Sequence, residues 1–178
     1  MRVGYRARQL WRTISAEPIA SEQLDEVRAI LSDDEYELFL RYDMADRQHC
    51  YRVMRLLHDS GARDHDLLVA ALLHDVGKTQ VSLTSLDRIL GTIVERGWSG
   101  RLEQWGGEPP TGWHRPFSVR VQHAEWGAQM AEAAGCSPTT VYLIRHHQDK
   151  LLGGDSPENA VNKDAQLLRQ LQWADEQD

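Results

Sequence analysis

Disulfide chemistry has almost no material in this chain, whose two cysteines, Cys50 and Cys136, lie in no CxxC or nucleophile motif. A cross-linked scaffold is excluded, and a reducing cytoplasm is the expected setting. Long apolar runs are missing too: no stretch approaches the roughly eighteen residues of a membrane-spanning helix, and the basic opening MRVGYRARQLWRTISAEP lacks the apolar centre of a secretory leader. Positive charge is in deficit, with 20 Lys and Arg against 27 Asp and Glu and a formal charge of -7. Bulk nucleic acid and anionic membranes are therefore not expected partners, whereas a small anionic substrate can still be met by a local basic pocket. Strict apolar–polar alternation, the mark of a half-buried strand, is nearly absent as well.

What is present is helical periodicity, with apolar residues recurring at three and four positions. The expected fold is all-α, one domain over 178 residues, with residues 1–44 as a helical extension. Ser21 is expected to cap a helix carrying Leu24, Val27, Ile30 and Leu31, and Ser32 to Glu35 form a capping box for a second. A third runs from about Ala45 through His49 and Val53 to Ser60-Gly61. Asp64 caps a fourth, DLLVAALLHDVGK, expected to halt near Gly77. Residues 79–117 form a long insert containing one amphipathic helix, Leu86 to about Glu95. The rest of the insert, rich in Gly and Pro, carries Trp98, Trp105 and Trp113 with Arg96, Arg101 and Arg115, which suits a lid or a dimer contact. Helices are then expected from about Ser118 to Gly135, from Ser137-Pro138 onward, and, after Gly153-Gly154, from about Pro157 to the end.

Eight histidines are the distinctive feature. His-Asp occurs at His58-Asp59, His65-Asp66 and His74-Asp75, and the first two have ordinary helix-terminus explanations. Asp75 has none, because a carboxylate at the end of a helix is repelled by the dipole; something positive should offset it. His49, His123, His146, His147 and Asp175 each continue an apolar helical stripe. Separately they pose several buried-polar problems, which one metal cluster would solve together. Mixed nitrogen and oxygen donors suit Mn, Fe, Zn or Co, and a carboxylate such as Asp75 can bridge two ions.

In this order His49, His74-Asp75, His123, His146 and Asp175 resemble the H…HD…H…H…D pattern of the HD-domain metal-dependent phosphohydrolase superfamily. HDVGK is similar to the HDxGK variant of HD-GYP-type cyclic-dinucleotide phosphodiesterases, HAEWGA to their HxxxGA segment, and His146-His147 to their double histidine. HHQDKLLGGDSP follows, where that group has HHE and a later GYP. The resemblance implies a helical bundle with two divalent ions. One would be held by His49, His74, Asp75 and Asp175, and the second, bridged by Asp75, by His123 and His146 with His147 as an added ligand. It also implies that Lys78 faces the scissile phosphate, and that the substrate is a phosphomonoester or phosphodiester, expected to be a nucleotide. Di-iron oxygenases on the same ligands, and a non-catalytic metal or nucleotide sensor, are the alternatives.

Overall fold

The computed structural model describes residues 18–82, 105–107, 109–149 and 163–178. The expected helix at Leu86 to Glu95, Arg96, Trp98, Arg101, the Gly153-Gly154 loop and the start of the last helix at Pro157 lie outside the described residues.

Among the described residues the structure is helical with no strand: α1 (Ser21–Arg28), α2 (Asp33–Leu40), α3 (Met44–Asp59), α4 (His65–Leu73), a 3-10 turn Val76–Gln80, a second 3-10 turn Gly112–His114, α5 (Arg115–Ala133), α6 (Pro138–His146) and α7 (Lys163–Gln177). None of these helices is long and apolar enough to cross a membrane.

Local chemistry accounts for most boundaries. Ser32 caps α2 reciprocally with Glu35, Asp64 accepts from the Leu67 amide at the start of α4, and Ser137 from the Thr140 amide ahead of Pro138. Gly61, at φ 98°, ends α3. The Ala62 and Gly61 amides return to the Leu57 and His58 carbonyls, both at 3.0 Å, closing a Schellman turn. Three expectations need correction. The helix capped by Asp64 ends at Leu73 rather than near Gly77, which lies within the 3-10 turn Val76–Gln80. Ser21 is the first residue of α1 rather than its cap: its hydroxyl donates to Glu22, while the Gln23 side chain accepts from the Ala20 amide at 3.0 Å. And α5 begins at Arg115, not Ser118, because Pro116 fits a first helical turn, where its missing amide hydrogen is not needed.

α4 is the central rod. Every residue from Leu67 to Leu73 is buried, the pattern of a helix surrounded on all sides. α3, α6, α7 and α2 pack around it, and α5 closes over the turn that follows it. Burying each of its leucines contributes roughly 1.5–3 kcal/mol before entropy is counted. Val27 and Phe39, from the two helices before α3, are fully buried in the same core. The effect of this wrapping is positional: the buried apolar run Leu67 to Leu73 leads straight into His74-Asp75, so both side chains are delivered to the interior of the bundle.

Candidate metal centre

Asp75 lies where α4 gives way to the 3-10 turn, its side chain 4 % exposed. The positive partner demanded by its position is Lys78, one turn on, whose Nζ donates to Asp75 Oδ2. Burial would raise the Asp75 carboxyl, but the Lys78 ammonium beside it outweighs that and holds the group well below the usual carboxylate range.

Around this carboxylate four imidazoles converge from α3, α5, the end of α4 and the end of α6. His49 Nε2 stands 3.9 Å from Oδ2 and His74 Nε2 3.5 Å from it; His123 Nε2 is 3.3 Å and His147 Nε2 3.8 Å from Oδ1. α7 contributes Asp175, whose Oδ1 is 3.0 Å from His49 Nε2 and 3.6 Å from His74 Nε2. Among the described residues two compact sets of imidazoles and carboxylates result, His49–His74–Asp175 and Asp75–His123–His147, with one oxygen of Asp75 turned toward each; Cys50 with His74 and Asp75 makes a third group of donors. Ligand atoms about 2.0–2.2 Å from a common ion sit roughly 3.0–3.6 Å apart at tetrahedral or octahedral angles, close to these separations.

The imidazoles are wired for this role. The Nδ1 of His74 meets the Ala71 carbonyl at 3.0 Å, that of His123 the Val119 carbonyl at 2.8 Å, and that of His147 the Ile144 carbonyl at 2.7 Å. A carbonyl only accepts, so each Nδ1 carries the hydrogen and each Nε2 keeps its lone pair. All three Nε2 atoms are buried without a hydrogen-bond partner. Lone pairs aimed at a carboxylate, with nothing between, are repulsive and costly to bury, and a cation between them removes the conflict. The residues therefore fit divalent ions. Burial pushes His147 down to about 3, so it is neutral as a ligand must be. His49 differs: burial works against its charge, yet hydrogen bonds to Asp175 and Asp178 hold it up to about 9.

Two glycines make the convergence possible. A Cβ on Gly77 would lie 1.9 Å from the His123 carbonyl oxygen and 2.6 Å from the Gly127 amide nitrogen. The backbone after HD thus lies directly on α5, which brings Asp75 to His123.

The HD domain family matches the chain over residues 47–178. No curated protein and no solved structure matches it. This chain belongs to the HD-domain family of metal-dependent phosphohydrolases. The matched span begins within α3, and α1 and α2 precede it.

Of the residues the sequence singled out, this HD domain brings together His49, His74, Asp75, His123, His147, Asp175 and Lys78. It does not bring in His146, expected as a principal ligand with His147 as the addition. His146 turns outward, its Nδ1 2.6 Å from Asp149 and its ring against Tyr142 at 4.4 Å. Adjacent helical residues point about 100° apart, so one can face the bundle only if the other does not. We expect His146→Ala to leave ion content unchanged and His147→Ala to lower it by one per chain, measured by elemental analysis of the purified proteins. Of the histidines given terminus roles, His58 is half-buried in the last turn of α3 and His65 is exposed at the start of α4, bonded to the Ile30 carbonyl. Sequence reasoning missed Asp178, which holds the other nitrogen of His49 at 2.8 Å, and Cys50, buried beside His74 and Asp75. Asp178 stands one turn beyond Asp175, and that spacing was the available signal.

Proposed function

We propose that this HD domain hydrolyses a phosphate ester, a monoester or a diester of a nucleotide, with two divalent ions shared across Asp75. The observation that carries the proposal is Asp75 itself, one oxygen facing each donor set and a lysine ammonium on its edge. His49, His74 and Asp175 would hold one ion, His123 and His147 the other, and Asp75 both. Bound ions of this kind supply Lewis acidity to the phosphoryl group and acidify a water that attacks it.

The protein's own residues do the rest. Asp175 and Lys78 are each 35 % exposed and His49 16 %, against 1–4 % for His74, His123, His147 and Asp75. This difference in exposure supports substrate approach from the Asp175–Lys78 side, with the buried His74, His123 and His147 behind. Lys78 donates to a non-bridging phosphate oxygen, a charge-assisted bond that strengthens as negative charge gathers in the transition state. We expect Lys78→Ala to keep its ions and lose roughly 10²–10³ in kcat; unchanged kcat in that variant would remove the lysine from the reaction.

The nucleotide reading is supported by the described part of the insert. Trp113 is 54 % exposed in the 3-10 turn ahead of α5, two residues before Arg115, and offers a face for stacking on a base. Trp105 instead packs with Trp113 and Phe117, at 5.3 and 5.5 Å, which supports a packing role for that ring. Trp113 with exposed Val121 also supports the insert's other reading, as the contact between two copies. Free thiols at Cys50 and Cys136 support a reducing cytoplasm. Purification with and without oxygen, followed by metal analysis and by hydrolysis of mono- and bis-(p-nitrophenyl) phosphate with added Mn or Fe, tests the proposal. Metal-dependent release of nitrophenol is expected, and the preferred ester sorts phosphodiesterase from nucleotidase. Iron-dependent oxygen uptake without ester cleavage would transfer the site to the oxygenase alternative.

A further inference from the structure

His49 is held unlike the other three imidazoles. Theirs donate from Nδ1 to main-chain carbonyls of their own helices. His49 Nδ1 reaches instead across the bundle to a carboxylate, Asp178 Oδ2, at 2.8 Å. That carboxylate is itself gripped by Arg52, with Nε 2.5 Å from Oδ1 and Nη2 2.6 Å from Oδ2. The spacing explains the match. His49 and Arg52 lie one turn apart on α3, and Asp178 follows directly on the end of α7, three residues past Asp175, so two rungs form side by side, His49 on Asp175 and Arg52 on Asp178. His49 sits in the middle with a carboxylate at each nitrogen, and Asp178, only 9 % exposed, is shielded from water that would weaken its hold.

We propose that Asp178, locked by Arg52, is a positioning residue for His49 that fixes its tautomer and aim, and so sets the affinity of the ion at His49–His74–Asp175. The proposal rests on the metal-binding reading of that donor set. A carboxylate behind a ligating imidazole keeps the hydrogen on Nδ1, raises the basicity of Nε2 and prevents ring rotation. The neutral main-chain carbonyls behind His123 and His147 also keep the hydrogen on Nδ1 and hold the ring, but add no negative charge to raise the basicity of Nε2. The two donor sets are thereby unequal, and the one on α3 and α7 is the stronger.

The test is a double-mutant cycle on the full chain, reading the dissociation constant for Mn(II) by calorimetry and the melting temperature of the ion-free protein. Asp178→Asn should weaken the tighter ion by about 10–100-fold, the usual effect of losing such a partner. In the His49→Gln background the same change should cost nothing further. Arg52→Gln, which opens the clasp but leaves Asp178 on His49, should weaken binding less than Asp178→Asn even if both lower the melting temperature alike. An undiminished loss in the His49→Gln background, or equal losses from the Arg52 and Asp178 variants, would reduce the clasp to a tie between α3 and α7 and overturn the proposal. If the wild type takes up one ion instead of two, the dinuclear reading fails, and the cycle is read on that single ion with the same outcomes deciding.

Discussion

Asp75→Ala is expected to empty both donor sets and to lower ester hydrolysis by more than about a thousandfold, since loss of one transition-state donor alone costs roughly 10²–10³. The reason is its double use. His123→Ala removes one nitrogen from one set, but Asp75 gives Oδ2 to the His49–His74 side and Oδ1 to the His123–His147 side. Without it neither set keeps more than three donors, and the two would-be ions lose the negative charge that separates them. The variant should still fold. Lys78 loses its partner, but its side chain is already 35 % exposed and can carry its ammonium into water. Metal analysis after exhaustive dialysis, beside a melting curve, checks both halves of the statement. A folded Asp75→Ala protein that retains two ions would refute the shared carboxylate.

The legible part of this site was the part set by apolar periodicity. α4 could be read because seven successive buried residues, Leu67 to Leu73, leave its end no place but the interior. His49 and His123 could be read because each continues a stripe of core residues. The choice between His146 and His147 was legible too, on a closer count. In α6 the buried residues are Thr140, Val141, Leu143 and Ile144; His147 falls three, four and seven after buried Ile144, Leu143 and Thr140, whereas His146 falls three after buried Leu143 but four and seven after half-buried Tyr142 and Thr139. The family pattern drew attention to the first histidine of the pair; the helical period favours the second. Asp178 and Arg52 were harder, because nothing in a charged residue one turn past a ligand distinguishes a clasp from a solvated surface pair. Only the packing of α7 against α3 decides it. The overlooked cap at α1 has a similar cause: Ser21 has the right side chain, but the backbone enters the helix at Ala20, whose amide the Gln23 side chain satisfies.

The other large expected effect concerns a residue that would bind nothing. Gly77→Ala should destabilise the protein by about 3 kcal/mol or more, the upper range for forcing an extra carbon into a filled interior. That corresponds to a drop in Tm of roughly 6–12 °C for a chain of this size. The severity follows from what the added Cβ would strike: the His123 carbonyl oxygen at 1.9 Å and the Gly127 nitrogen at 2.6 Å are main-chain atoms of α5, and no rotamer change moves them away. Relief requires α5 to slide from the 3-10 turn, and α5 carries His123. The Asp75–His123–His147 set should therefore lose its ion at metal concentrations where His49–His74–Asp175, built on α3, α4 and α7, still holds one. Gly127→Ala makes a control within the same contact, since its Cβ would meet the Gly77 nitrogen at 3.2 Å and the Ile144 Cγ2 at 3.3 Å, distances that a small shift accommodates. It should melt between wild type and Gly77→Ala. Should Gly77→Ala melt within about 2 °C of wild type, a difference of less than roughly 1 kcal/mol, the close seating of the HD turn on α5 would be wrong, and with it the geometry that sets Asp75 beside His123.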